Sequence, residues 1–165
     1  MKKLAGLVLL LAAVNLCAAP GMKIKGAGFG RLKTLVGEWE GTTENGARVR
    51  ASYKLASNGT AILETLQTAG ESEMITVYYR DADHLMLTHY CSEGNQPRMR
   101  TTATPGPDQS LDFSFVDVTN LDTSAEGHMR SLVVSFKDDD HFTQKWTWRA
   151  KGRDKVEVFR FTRKK

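Results

Sequence analysis

The side chains most able to do chemistry crowd into one stretch, Thr88 to Met99, which holds His89, Tyr90, Cys91, Asn95, Arg98 and Met99. Leu85 and Leu87 set its phase. With these two facing inward, period-two alternation turns His89 and Cys91 inward and Thr88 and Tyr90 outward. A neutral imidazole and a thiol on an inner wall would polarise a bound ligand, and the imidazole would also suit haem iron as an axial ligand. The alternative is a buried histidine hydrogen-bonded to a neighbouring strand, beside a cysteine that acts as a small apolar filler. A Cys–His nucleophilic pair needs hydrogen-bond reach and a lowered thiol pKa. Residues two apart on one strand face are well separated, and no helix N-terminus is evident to favour a thiolate. The four histidines, His84, His89, His128 and His141, match no standard zinc spacing. His84 and His141 stand beside turns and read as solvated.

Glu64 shares a face with Ile62 and Leu66, which makes it a buried polar group that must be paired, by Tyr53 or Arg50 across the hairpin. If Met99 faces inward, Arg98 and Arg100 face outward, their aliphatic stems covering the sheet. Trp39, Tyr53, Phe113, Phe115, Phe142 and Trp146 form the aromatic inventory of an interior, equally able to grip an apolar ligand or to fill a core that binds nothing. The expected ligand-binding set is therefore Trp39, Tyr53, Glu64, His89, Cys91, Met99, Phe113, Gln144 and Trp146, with His89, Glu64 or Gln144 orienting the ligand. No catalytic constellation justifies naming a reaction, so the expectation is a non-enzymatic protein. No resident metal is expected; if haem binds, His89 or His128 is the axial ligand.

Strands must position these residues. Val49, Ala51, Tyr53 and Leu55 alternate with Arg48, Arg50, Ser52 and Lys54, the period of a strand with one buried face. Ser57-Asn58-Gly59 turns the chain into 60–67, because Asn-Gly accepts the positive φ of a tight hairpin. Strands over 72–79, 84–91 and 97–102 follow, the first two separated by a turn at 80–83. Leu111, Phe113 and Phe115 alternate next; a polar loop over 119–127 leads to 128–136; Asp138-Asp139-Asp140 turns into a strand carrying Phe142, Gln144, Trp146 and Trp148; and Lys151-Gly152 returns the chain to 156–162. Phe29 through Val36 makes one short helical turn ahead of the first strand. About ten strands in up-and-down order, with short turns and no long helix, predict an all-β antiparallel barrel, since closure removes edges that could aggregate. A two-sheet sandwich is the alternative.

The chain opens with Lys2 and Lys3, an apolar stretch from Leu4 to Val14 and the small residues Cys17-Ala18-Ala19. This reads as a signal peptide over 1–19, too short to span a bilayer core of roughly 20 residues. Export to the periplasm or beyond is expected, with no stable membrane insertion after leader removal; lipidation at Cys17 is disfavoured by bulky Leu16. Residues 20–30 are a glycine-rich lead-in and 31–165 one domain. The formal charge of +4 includes the two leader lysines, so the mature chain carries 21 basic against 19 acidic residues, a net +2. Arg160, Arg163, Lys164 and Lys165 read as a solvated tail; without a zinc-knuckle or RNA-binding aromatic signature, no nucleic-acid partner is expected. Cys91 is then the single thiol, which rules out an intramolecular disulfide and favours burial.

Gly37-Glu38-Trp39 resembles the Gly-x-Trp motif on the first strand of the calycin superfamily of lipocalins, fatty-acid-binding proteins and nitrobindin-like barrels. Leu35 to Gly41, together with Leu87-Thr88-His89-Tyr90-Cys91 and Gly94-Asn95-Gln96-Pro97-Arg98-Met99, is similar to an uncharacterised family of exported bacterial lipocalin-like proteins, over essentially the whole mature chain. The resemblance implies a barrel that holds a small apolar or amphipathic molecule. Nitrobindin-like haem proteins continue the motif as Gly-x-Trp-x-Gly-x-Gly, whereas residue 43 here is Thr43. A third expectation, from another class, is a structural or interaction module with a fully packed lumen.

Overall fold

The computed structural model describes residues 27–101, 110–123 and 126–165. The signal peptide expected over 1–19, with Cys17, lies outside the described residues. One helix, α1 (Ala27–Lys33), precedes ten strands: β1 (Gly37–Thr43), β2 (Arg48–Ala56), β3 (Ala61–Thr68), β4 (Met74–Asp81), β5 (His84–Tyr90), β6 (Gln96–Thr101), β7 (Leu111–Thr119), β8 (His128–Phe136), β9 (His141–Ala150) and β10 (Arg153–Arg163). Each strand pairs antiparallel with its sequence neighbours, and β1 pairs with β10 from Trp39↔Arg163 to Thr43↔Phe159, closing the sheet. The expected all-β up-and-down barrel is the observed one, and the sandwich is not. Among the described residues no helix is long and apolar enough to cross a membrane.

Alternation sets the inside of the barrel. Val49, Ala51 and Tyr53 are buried on β2, Leu85, Leu87 and His89 on β5, and Phe142, Gln144 and Trp146 on β9, while Arg48, Arg50, Arg98, Arg100 and Lys145 face solvent. Two register shifts, between Arg98 and Met99 on β6 and between Met129 and Ser131 on β8, interrupt this phase in the way bulges re-aim side chains. Phe115 and Trp148 are only half-buried, although Phe115 still pairs with buried Met99 and Trp148 stays in phase with Trp146. Between β2 and β3 the chain does not make a two-residue turn. Ser57 and Asn58 both adopt left-handed backbone, φ 50° and 53°, in a short 3-10 turn.

The helix closes one end. Phe29, Leu32 and Leu35 are buried at three-residue spacing, one face of a helix turned onto the barrel floor. It begins at Ala27, inside the stretch expected to be a lead-in, because Phe29 has this apolar site to enter. Trp39 Nε1 donates to the Leu35 carbonyl at 2.7 Å, and Arg163 donates to the carbonyls of Val36 and Thr34 at 3.1 and 2.8 Å while its guanidinium lies 4.1 Å from the Trp39 ring centre. Arg163 is thus a clamp and not part of a solvated tail. The Gly-x-Trp-x-Gly run acquires a structural meaning here. Gly37 sits at φ 128°, which L side chains rarely adopt, and a Cβ on Gly41 would fall 1.9 Å from the Arg160 carbonyl oxygen, so only glycine lets β1 approach β10.

Candidate functional site

A single inner rung crosses four neighbouring strands, because the register aligns Tyr53 on β2 with Glu64 on β3, Glu64 with Thr76 on β4, and Thr76 with His89 on β5. All four side chains are buried. Glu64 Oε1 accepts from Tyr53 at 2.9 Å and from Gln144 Nε2 at 2.7 Å, and Oε2 accepts from Tyr78 at 2.6 Å. Gln144 is held in that orientation by Trp146, whose indole, a donor only, reaches Gln144 Oε1 at 3.0 Å. Burial pushes the Glu64 carboxyl above its ordinary value, against the pull of hydrogen bonds from Tyr78, Gln144, Tyr53 and Thr76. Tyr53 and Tyr78 are raised well above 10, first by burial and then by the neighbouring Glu64 charge. Converging donors of this kind are what a buried carboxylate requires.

The rung divides the lumen. On the helix side the space is filled: Trp39 meets Phe142 edge-on at 4.7 Å between ring centres, Phe142 stacks on Phe161 at 4.7 Å, and Tyr78 lies 5.8 Å from Phe113. On the other side a cavity of about 510 Å³ has buried walls that include Leu66, Met74, His89, Cys91, Trp146 and Phe159, with half-buried Met129 and Trp148 beside them. That volume lies within the range of roughly 300–1,000 Å³ usual for small-molecule pockets. Its mouth carries Glu71, Glu93, Glu157 and Lys155.

His89 is the polar group of these walls. Its Nδ1 lies 2.9 Å from Thr76 Oγ1, its ring packs 4.7 Å from that of Trp146, and its Nε2 is buried with no hydrogen-bond partner. Burial lowers its pKa from 6.5 to about 4, so the ring is neutral at physiological pH. Burial also raises the Cys91 thiol, the opposite of what an activated nucleophile requires.

Of the nine residues expected to bind ligand, His89, Cys91 and Trp146 line this cavity. Glu64 and Gln144 lie beneath it in the polar rung with Tyr53, while Trp39, Met99 and Phe113 are fully buried in the core. Sequence reasoning paired Glu64 with Tyr53 and missed Tyr78 and Thr76, which alternation from Met74 would have placed on the inner face. It also missed Trp148, Phe159 and the acidic mouth. Arg50, offered as a partner for Glu64, is exposed. His128 is buried beside Phe115, with its Nδ1 unpartnered, and is not among the residues lining the cavity. The expected solvation of His84 is only partial, since its Nδ1 contacts the Thr101 carbonyl at 2.9 Å. No group of three or more His, Cys, Asp or Glu suited to a metal ion occurs among the described residues.

The Gly94–Met99 run also acquires a place. Asn95 is buried and donates through Nδ2 to the Gly127 carbonyl at 2.8 Å. Gly127 in turn lies flat against Trp148, where a Cβ would fall 1.7 Å from the indole. The hairpin after β5 thus fixes the loop that seats a tryptophan of the cavity wall.

No family model matches the chain, and no curated protein matches it. Solved structures do. Rv2717c from M. tuberculosis superposes with a TM-score of 0.61 at 14% identity, covering 84% of this chain and 98% of that one. A protein with unknown function from the DUF3598 family of Nostoc punctiforme gives a TM-score of 0.55 at 12% identity, over 81% of this chain and 49% of that one. The likeness is one of fold. It supports a barrel and leaves lipocalin or calycin membership a matter of proposal.

Proposed function

We propose that this protein is a non-enzymatic, exported carrier of the lipocalin-like kind, which takes one small apolar or amphipathic molecule into the cavity above the Glu64 rung. The observation that carries this reading is the asymmetry of the lumen. One half is filled by stacked aromatics and sealed by α1, whereas the other leaves about 510 Å³ beside Trp146 and Phe159. A protein that needed only a core would gain by filling both, because unfilled apolar space forfeits packing contacts. The exported compartment is proposed from the leader, periplasmic or secreted, with Cys17 lipidation the lesser form. No nucleic-acid partner belongs to this reading.

Haem is the second reading, favoured by one atom: His89 Nε2 is a buried, unpartnered nitrogen on a neutral imidazole. Haem carries two carboxylates, however, and the mouth presents three glutamates to one lysine. The residues present do not fit the group.

Native mass spectrometry of the protein purified from its own host tests the carrier reading, together with titration of Trp146 and Trp148 fluorescence by amphiphiles of graded chain length. A copurified small molecule, or saturable quenching at micromolar concentrations, is expected. A bare mass and no saturable quenching would leave the packed-module reading in its place. Haem titration under the same conditions is expected to give no histidine-ligated absorbance band.

A further inference from the structure

The protonation of the rung follows from its donors. Gln144 Nε2 and two tyrosine hydroxyls converge on Glu64, the surroundings of an ionised carboxylate, which accepts and does not donate. In the tautomer that carries its proton on Nδ1, the imidazole of His89 donates to Thr76 Oγ1 at 2.9 Å. Nε2 on the opposite edge of the ring is then a bare lone pair. A buried acceptor left without a partner is destabilising and calls for an explanation, and His89, 1% exposed, borders the cavity. The same cavity opens past Glu71, Glu93 and Glu157, with Lys155 the one lysine or arginine among its lining residues.

We infer that the cavity selects amphiphiles whose head group is a cationic hydrogen-bond donor, an alkylammonium, over carboxylates of the same chain length. This rests on the carrier reading and names the class of its ligand. The head group donates to His89 Nε2, the glutamates of the mouth supply the opposing charge, and the alkyl chain lies along Trp146, Phe159 and Met74. A carboxylate in the same place would set acceptor against acceptor and add a fourth negative charge. His89 Nε2 has no contact with water in this conformation, so a head group reaches it only as a neighbouring side chain of the wall turns aside. The exposed part of the attraction is weakened by salt, whose screening length is about 8 Å at physiological ionic strength.

Dodecylamine, dodecanol and dodecanoate, titrated below their micellar concentrations against the full mature chain and followed by tryptophan fluorescence, separate the possibilities. The amine is expected to bind at least tenfold more tightly than the carboxylate at low salt, with the alcohol between them and the gap narrowing as salt is added. Glu93→Gln with Glu157→Gln, at the mouth, should cut the ratio of amine to carboxylate affinity severalfold. His89→Gln should weaken amine and alcohol together. In 15N spectra of histidine-labelled protein, a deprotonated Nε2 is expected for His89; a proton on Nε2 would overturn the inference. Equal or tighter binding of the carboxylate would also overturn it and leave the carrier reading standing. If none of the three binds, both fall.

Discussion

At the helix end of the barrel Trp39 is held on every side, its indole nitrogen on Leu35, its edge against Phe142 and its face under Arg163. At the other end Trp146 is fixed by its nitrogen to Gln144 and by its ring to His89, and otherwise borders open volume. Two residues of the same type on the inner face of one sheet therefore do different work. Where a ring has ring partners it is structural. Where its neighbours are a lone histidine and a cavity, it is available to a ligand. The Glu64 rung forms the partition, and it must be polar and satisfied because a one-residue slip of register would strand a carboxylate in apolar packing.

The sharpest way to break this contrast is to truncate one tryptophan at each end. Trp39→Ala removes a fully buried ring from a packed cluster and should cost about 3–5 kcal/mol, the range for large core truncations. Trp148→Ala, half-buried at the cavity wall, should cost much less in urea unfolding while weakening amphiphile binding. Equal losses of stability at both positions would mean that the cavity end is as tightly packed as the other.

The next effect is on pH. His89 titrates near 6.5 in the unfolded chain and about 4 in the folded one, so as pH falls through that window the unfolded chain takes up the proton first and folding is disfavoured. Stability present above pH 6.5 should therefore fall by about 3 kcal/mol on approaching pH 4, at 1.36 kcal/mol per decade. Glu64, raised by burial, acts with the opposite sign, because the unfolded chain releases its proton first as pH rises above 4.5. The wild-type slope is the sum of the two. Unfolding free energies of wild type and His89→Gln across pH 4 to 7 isolate the histidine, and an unchanged slope in the variant would remove His89 from the buried, neutral role.

Glu64→Gln sharpens the account of the partition itself. An amide offers one acceptor oxygen to donors now shared by two, and turns its own NH2 toward Gln144 Nε2 or a tyrosine hydroxyl, leaving a buried donor unmatched. The expected loss is about 1–3 kcal/mol, with the Glu64 part of the pH slope abolished. A variant as stable as wild type would mean that the carboxyl is protonated in the fold.

Much of this architecture is legible in the sequence, and particular residues show why the rest is not. Alternation from Leu85 placed His89 and Cys91 inside and Tyr90 outside, and the ten strands follow from period two and turn residues. Alternation is a property of one strand, whereas the rung is a property of register. Tyr78 and Thr76 become partners of Glu64 and His89 only once β4 is aligned between β3 and β5. Extra residues at Val116 on β7 and Arg130 on β8 shift the register of those two pairings, and nothing in the residue types announces the shift. The Gly-x-Trp run was legible as a barrel opening and pointed to the wrong end for a ligand, since Trp39 belongs to the seal. Arg163 could not be told from a solvated tail, because its partners are backbone carbonyls of Val36 and Thr34, more than a hundred residues away.

The smallest expected effect tests that seal. Arg163→Lys keeps the charge and the stem but replaces a planar fork, which reaches Val36, Thr34 and the Asp139 carbonyl at once, with a single ammonium. Stacking on Trp39 is weakened as well, since a guanidinium lies flat on an indole and an ammonium does not. The side chain is about a quarter exposed, so the loss should be near the low end for such contacts, about 1 kcal/mol. It should register as faster amide exchange in α1 and at the start of β1, with amphiphile affinity at the far end unchanged. Reduced affinity in this variant would show that the helix and the cavity are coupled through the rung, and that the two halves of the lumen do not act separately.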